Sequence, residues 1–476
     1  MKYFLMLIQL WVGFLPICAS YPKANIWIIP SVESPQVYRN YAQTSKVHLE
    51  MARGEVEHIQ LVFPSKVNEE YRFTFDRNLK GIQISARELK KMNGYYDALV
   101  PFKNQLKCTD TLTAVWITVQ CPSRVPVGKY HQTIKIEGSK HFTIQLDYNV
   151  HHTTIPLKSS IPITVGVENR CVAEGLNDKE ADKERQRWVD FVLSYRMTPV
   201  FGTQITPERW QYEHSFSPWA WNDKRSIRLL NDRRYSCYML PFFTLSENEL
   251  ASLLCNIQKK GKLKESLFYI WDEPAYMEDY EQIKQKVNII RKYASDARIL
   301  TTFFCGPRNG PRKGDLYAVF DYLKHHIHVA TISLAPCKGN EEEVQHIRYK
   351  VPEGIDWWSY VCWQPGGNEP NFLLQMKGIQ QRAIMWRTWK NGSQGFLYWN
   401  CNIYHKRNPF TYITDMPHGD GILIYPGDIL GRKGPIASAR LERWRDGAEE
   451  MELLRLVEKN YSKEKADTLL NIVYSS

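Results

Sequence analysis

From residue 163 onward the sequence alternates between short, nearly continuous apolar runs and stretches of helical periodicity, and few folds accept that rhythm. Runs at 267–271, 299–304, 329–334, 357–363 and 396–399 hold too few polar residues for a strand with one wet face. Strands apolar on both faces belong in a parallel sheet covered by helices. Helical patterns lie between the runs, among them Ile283/Val287/Ile290, and Leu441/Trp444/Ala448/Met451 follows the last one. Two helices carry their own start signals. Asn177, with Glu180 three residues on, precedes Trp188, Phe191, Val192 and Tyr195; Ser246, with Glu249, precedes Leu250, Leu253, Leu254 and Ile257. Adding runs near 163, 199 and 238 gives about eight strands, so the expected architecture is α/β, a (β/α)8 TIM-type barrel rather than an open doubly wound sheet.

Before residue 151 the period is two. Phe142, Ile144, Leu146, Tyr148 and Val150 alternate with polar residues, and Pro122, Pro126 and Gly128 punctuate neighbouring runs, which predicts an antiparallel β-sandwich. Residues 151–162, with Pro156 and Pro162, read as a linker. The first twenty residues read as a signal peptide, because Lys2 precedes an apolar run over 3–17 and the small residues Ala19 and Ser20 follow. The expected division is therefore a signal peptide at 1–20, a sandwich domain at 21–155 and a catalytic barrel at 156–476. The chain is expected to be exported: periplasmic, cell-surface or secreted. Anchoring as a lipoprotein at Cys18 is the alternative, although Pro16 and Ile17 stand where small residues are usual.

No later stretch approaches the ~18 uncharged apolar residues of a membrane span, so no transmembrane span is expected in the mature chain. With 43% hydrophobic and 24% charged residues over 476 positions, the chain can bury a large core, which excludes wholesale disorder and collagen-like repeats. The net charge of +11 is scattered along the sequence; Lys259-Lys260-Gly261-Lys262 closes a helix, where cations suit the dipole. Nucleic acid is not an expected partner of an exported chain; a sulfated or acidic glycan is the alternative reading of the basic balance. The ten cysteines include no C-x-x-C pair, which removes zinc-ribbon and thioredoxin readings. A bridge from Cys108 to Cys121 around a strand turn stays open.

In such a barrel the chemistry lies just beyond the carboxyl ends of the strands. The run Leu267-Phe268-Tyr269-Ile270-Trp271 ends in Asp272-Glu273-Pro274, by count at the fourth strand. Two adjacent acids after five apolar residues are costly to bury unless paired or used. A structural alternative is a helix N-terminus, where acids suit the dipole. Glycosidases that use two carboxylates set them about 5 to 9.5 Å apart across the scissile bond. Successive side chains on a strand diverge, so Asp272 and Glu273 are expected to hold different parts of one sugar. That favours a substrate-assisted route, in which a 2-acetamido oxygen attacks its own anomeric carbon. Glu273 is then general acid and later base, and Asp272 orients the acetamido N–H and offsets the developing charge.

Several segments resemble glycoside hydrolase family 123, enzymes that release β-linked N-acetylgalactosamine. They are Trp271-Asp272-Glu273-Pro274, Trp357-Trp358-Ser359-Tyr360-Val361-Cys362, Gly395-Phe396-Leu397-Tyr398-Trp399-Asn400, Gly419-Asp420-Gly421 leading to Tyr425-Pro426-Gly427, and Arg440-Leu441-Glu442 with Arg445-Asp446-Gly447. Upstream, Ala52-Arg53-Gly54-Glu55 and Val125-Pro126-Val127-Gly128-Lys129-Tyr130 resemble the sandwich that precedes these barrels. The resemblance implies a retaining, substrate-assisted hydrolase with its Asp-Glu pair at Asp272 and Glu273. Tyr360 is the candidate to bond the acetamido oxygen, Trp399 to floor the sugar ring and Asn400 to hold a hydroxyl, with Trp358 and Trp363 as further contacts. The expected partner is a glycan substrate, and neither a metal nor an organic cofactor is expected. Another β-N-acetylhexosaminide, or a non-catalytic glycan-binding surface protein, is the alternative.

Arg440, Glu442, Arg445 and Asp446 read as structural charge pairs. His325, His326 and His328 precede the sixth strand, at the wrong end for a metal site, and read as solvated. The segment 306–314 is glycine-rich and basic but lacks a phosphate-loop ending. It is expected at the rim after strand five, where Arg308 or Arg312 would meet an acidic aglycone.

Overall fold

In a computed structural model the chain is described at residues 26–76, 81–206, 211–219, 221, 223–316, 318–335, 346, 348–403, 409–410 and 418–474. The signal peptide, Cys18 and the start at Tyr21 lie outside the described residues. The chain separates into two compact units. One runs to Leu157 and takes in Phe372–Trp386 and the segment from Leu423 onward; the other holds Lys158–Asn371 and Arg387–Ile422.

The first unit contains β1 (Trp27–Pro30), β2 (Lys46–Arg53), β3 (Val56–Pro64), β4 (Glu70–Phe75), β5 (Gln83–Met92), β6 (Tyr95–Pro101), β7 (Gln105–Lys107), β8 (Leu112–Gln120), β9 (Gly128–Glu137) and β10 (His141–Thr154). They form two five-stranded sheets, β1-β3-β8-β5-β6 and β2-β10-β9-β4-β7. Pairing is antiparallel except that β2 runs parallel to β10, so the second sheet is mixed. The period-two reading holds: Phe142, Ile144, Leu146, Tyr148 and Val150 are buried in one cluster with Leu61, Phe63, Val115 and Ile117. Each such side chain contributes about 1.5–3 kcal/mol when fully buried.

Cys108 and Cys121 are both free and buried. They flank the whole of β8 rather than a turn, and nine residues at about 3.3 Å each hold their backbones far beyond disulfide reach.

The same unit holds the Ala439–Asn460 helix, capped by Ser438 Oγ, which accepts from Leu441 N. Arg440, Glu442, Arg445 and Asp446 are buried and paired, as the spacing implied. Arg440 meets Asp97 at 2.9 Å, and Glu442 meets His58 at 3.1 Å and Arg87 at 2.6 Å. Glu450 pairs with Arg382 at 2.7 Å.

The second unit contains β11 (Ile163–Glu168), β12 (Thr198–Thr206), β13 (Gln211–Ser215), β14 (Tyr238–Leu240), β15 (Ser266–Trp271), β16 (Arg298–Phe303), β17 (Val329–Ser333), β18 (Asp356–Val361) and β19 (Phe396–Tyr398). Their order is β13-β12-β11-β19-β18-β17-β16-β15-β14. Every neighbour pair is parallel except β12 with β13. The first and last parallel runs meet, β11 against β19. At the open edge Phe216 N, just past β13, donates to Met239 O in β14 at 2.8 Å. The result is a mixed α/β unit built on a nearly closed, parallel-rich sheet, with an antiparallel strand inserted where sequence periodicity gave none.

Val200, Met239, Leu267, Leu300, Val329, Trp358, Tyr360 and Leu397 face one another inside the sheet. Both capping boxes form, at Asn177/Glu180 and Ser246/Glu249, opening the Asp178–Ser194 and Glu247–Lys259 helices. His325 is exposed as expected, but His326 and His328 are half-buried, and His328 Nδ1 accepts from Ile299 N at 3.2 Å. Among the described residues no helix is long and apolar enough to cross a membrane.

Candidate active site

A cavity of about 460 Å³ opens at the carboxyl ends of the parallel strands. That is within the range of small-molecule sites, about 300–1,000 Å³. Its wall includes Asp272, Glu273, Tyr360, Trp363, Trp399 and Asn400, together with His214, Tyr269 and Thr302. Strand β15 delivers the two acids, because it ends at Trp271 and the chain turns sharply at Glu273. There φ is +47°, a left-handed conformation that costs a residue with a Cβ about 1–3 kcal/mol. Such strain persists where surrounding structure holds it. Here Glu273 N donates to Thr302 Oγ1 of β16 at 3.1 Å.

The two carboxylates diverge into different environments. Asp272 Oδ1 lies 2.6 Å from Tyr269 Oη and 2.8 Å from Thr302 Oγ1, and these two hydroxyls are 2.9 Å apart. Both carry a proton suited to the carboxylate, so the triangle fixes the Asp272 side chain and leaves Oδ2 outside it. The Tyr269 ring is in turn stacked on the His214 imidazole, with centroids 5.0 Å apart and planes at 26°. Burial holds His214 down at about 4 against the pull of Asp272, so the ring is neutral across the ordinary pH range.

Glu273 Oε1 accepts instead from Tyr360 Oη. Although the side chain opens to the cavity, the surrounding protein desolvates it. That desolvation first, and the Asp272 charge second, raise its carboxyl above the ordinary glutamate range. The Tyr360 hydrogen bond and the Arg308 charge act in the opposite direction.

On the far wall Trp399 follows β19, and its Nε1 donates to Asp420 Oδ1 at 2.9 Å. Tyr398 Oη donates to the same oxygen at 3.1 Å, and it accepts from Gly421 N at 2.9 Å. This holds the Trp399 indole against the Gly421 turn, where an added Cβ would lie 2.5 Å from the ring. Asn400 is buried, with Oδ1 accepting from Asn402 N at 2.9 Å. Trp363 is 42% exposed and stacks on Phe304, centroids 6.1 Å apart.

Six of the seven residues singled out from sequence thus line one cavity. Trp358 does not. It points inward like Tyr360 but two residues earlier on β18, about 6.6 Å deeper, where it is 1% exposed. Its indole fills the space over Gly395, where an added Cβ would be 2.2 Å from the ring.

Tyr360 was expected on the acetamido side and is bonded to Glu273. Sequence reasoning missed Tyr269, Thr302 and His214. The first two are polar residues on inward faces of otherwise apolar strands, a signal that was legible; His214 stands on the inserted strand β13, which periodicity did not reveal. Among the described residues no group of three His, Cys, Asp or Glu side chains is arranged to hold a metal ion. One acid held by hydroxyls beside a second with a raised pKa suits proton transfer coupled to charge stabilisation.

Comparison with known proteins gives this arrangement a family. The sequence profile of glycoside hydrolase 123, catalytic domain, matches residues 183–457. A family 123 glycoside hydrolase from Clostridium perfringens, solved for the details of glycolipid glycan hydrolysis, has a similar fold. Its TM-score is 0.66 at 14% identity, covering 94% of this chain and 91% of that one. A family 2 β-galacturonidase from Eisenbergiella tayi matches at TM-score 0.36 and 10% identity, over 83% of this chain and 89% of that one. A family 5 xyloglucanase from Bacteroides ovatus matches at 0.30 and 10%, over 84% and 98%. Neither of these two likenesses bears on the site. No curated protein matches the chain. The family profile takes in more than half of the sequence, both acids included, and the chain therefore belongs to glycoside hydrolase family 123 and is a glycoside hydrolase.

Proposed function

We propose that this hydrolase removes terminal β-linked N-acetylgalactosamine from glycans by a retaining, substrate-assisted mechanism, on a (β/α)8 barrel of which β13 is an insertion. The acetamido oxygen attacks the anomeric carbon while Glu273 protonates the departing oxygen. Glu273 then takes a proton from the water that opens the oxazoline, so it ends the cycle as it began. Asp272 accepts a hydrogen bond from the acetamido N–H and offsets the positive charge of the forming ring. Trp399 supplies an apolar floor under the sugar and Asn400 a polar contact to it.

The observation that carries the reading is the split between the neighbours: Asp272 is immobilised by Tyr269 and Thr302, whereas Glu273 has a raised carboxyl. An acid that holds its proton more tightly than an ordinary glutamate suits leaving-group protonation, and an immobilised carboxylate suits orientation. The glycolipid glycan hydrolysis described for the Clostridium perfringens enzyme supports a glycan as substrate. The basic, apolar start of the chain supports export, and the sandwich over 21–155 is read as a separate domain preceding the barrel.

A screen of aryl β-glycosides of N-acetylgalactosamine, N-acetylglucosamine and galactose tests the reading. Turnover of the first is expected, with less of the second and none of the third, and a thiazoline mimic of the oxazoline is expected to inhibit. Comparable turnover of the galactoside, or indifference to the thiazoline, contradicts the mechanism.

A further inference from the structure

We infer that Arg308 and the aromatic rim beside it form a leaving-group subsite for a sugar that carries an anionic substituent, a carboxylate or a sulfate ester. The inference rests on Glu273 as the proton donor. Such a donor faces the glycosidic oxygen, so the protein beyond it on the rim meets the leaving group.

The segment 306–314 follows β16 and is fastened to the residues directly after Glu273-Pro274. Arg308 N donates to Ala275 O at 2.7 Å, and Met277 N donates to Asn309 Oδ1 at 2.8 Å. Asn309 Nδ2 donates to Glu278 Oε2 at 3.2 Å, and Gly314 N closes the loop on Pro307 O at 2.7 Å. The Arg308 side chain is therefore launched from a fixed point two residues past the acid. It is exposed, its Cζ lies 6.0 Å from the centroid of the Tyr276 ring, and its charge registers at Glu273.

The two arginines of the loop differ in their partners. Arg312 is neutralised by Asp315 and Asp321. Among the described residues no carboxylate pairs with Arg308; its neighbours are Tyr276 and Cys305. A guanidinium without an acid, set on an aromatic face, offers a planar fork suited to a carboxylate or sulfate. Tyr276 is 47% exposed and Trp363 42%, and Trp363 with Phe304 adds an apolar face suited to a sugar ring. A neutral leaving group needs only the aromatic surfaces; the uncompensated cation is what selects an anionic one.

Three disaccharides distinguish the sources: β-N-acetylgalactosaminyl units on galactose, on galactose 6-sulfate and on glucuronic acid. The wild-type enzyme is expected to show kcat/KM about tenfold higher on at least one anionic substrate than on the neutral one at low salt. That advantage is expected to shrink as added salt screens the exposed pair. The larger of the two ratios identifies sulfate or carboxylate. Arg308→Gln is expected to bring the ratio close to one, Arg308→Lys to retain part of it, and Arg308→Glu to invert it, with thermal melting confirming that each variant folds. Equal kcat/KM on all three wild-type substrates, or a preference that survives Arg308→Gln, overturns the subsite.

If no β-N-acetylhexosaminide is turned over, the proposed function fails, and the subsite is read by saturation-transfer NMR with free galactose, galactose 6-sulfate and glucuronic acid. Stronger binding of an acid that is lost in Arg308→Gln sustains it, and indifferent binding overturns it.

Discussion

An acid that hands a proton to a leaving oxygen works best with its pKa near the working pH, and Glu273 is moved that way by desolvation and by Asp272. Glu273→Gln is expected to lower hydrolysis of unactivated glycosides by about 10²–10⁴-fold, and an aryl glycoside with a good leaving group much less. Steady-state rates on both substrates check this, and equal losses contradict the role. The pH profile gives a sharper reading. With Glu273 as the proposed acid, glycosylation needs it protonated, so kcat/KM is expected to fall as pH rises through its carboxyl pKa. Asp272→Asn removes a charge that raises that pKa, so the alkaline limb is expected to move to lower pH. Tyr360→Phe removes a hydrogen bond that lowers it, and the limb is expected to move to higher pH. At this scale the acids were legible because they end an apolar run. The depth of Trp358 was not, since strand parity gives the face a side chain takes and says nothing of its layer.

At the scale of elements, the cavity-facing end of β19 depends on how closely β11 can approach it. Val165 pairs with Tyr398, and a Cβ added to the neighbouring Gly166 would lie 1.9 Å from Trp399 O. Gly166→Ala therefore has to push apart the backbones that present Trp399 and Asn400. The expected result is a loss of about 1–3 kcal/mol in denaturant unfolding together with reduced activity. Full activity with unchanged stability contradicts the close approach. The parallel strands were readable because burial on both faces leaves an unbroken apolar signature. The antiparallel β13 hides because Gln-Tyr-Glu-His-Ser over 211–215 carries no such signature. The parallel pairing of β2 with β10 left no mark either, since the choice of partner is made between segments about a hundred residues apart.

Over the whole molecule, the linear order of the sequence misleads about which parts belong together. The Ala439–Asn460 helix follows the last parallel strand, yet its charged residues are completed by the opening sheets, where Glu57, His58 and Asp97 are buried and Arg87 is half-buried. Burial pushes Glu57 up to about 8, and, despite its burial, Arg445, Arg87 and His58 hold Glu442 well below the carboxylate range. The signs are opposite. Glu57 ionises near 4.3 when unfolded and near 8 when folded, so between those values the unfolded state sheds its proton first and stability falls as pH rises. Glu57→Gln is expected to flatten that fall, as measured by chemical unfolding at pH 5 and pH 8. Glu442 contributes stability above its unfolded pKa that is lost as pH falls through the folded one. Glu442→Gln, which removes the buried charge that Arg87, Arg445 and His58 share, is expected to cost about 3–5 kcal/mol at pH 7.

The nucleophile supplied by the substrate is the claim on which the mechanism turns. It is tested most directly by kcat/KM along a series of aryl β-N-acetylgalactosaminides whose acetamido methyl bears none, one, two or three fluorines. Each fluorine drains electron density from the acetamido oxygen, so the rate is expected to fall stepwise and steeply. A rate that stays level across the series would mean that another group attacks the anomeric carbon.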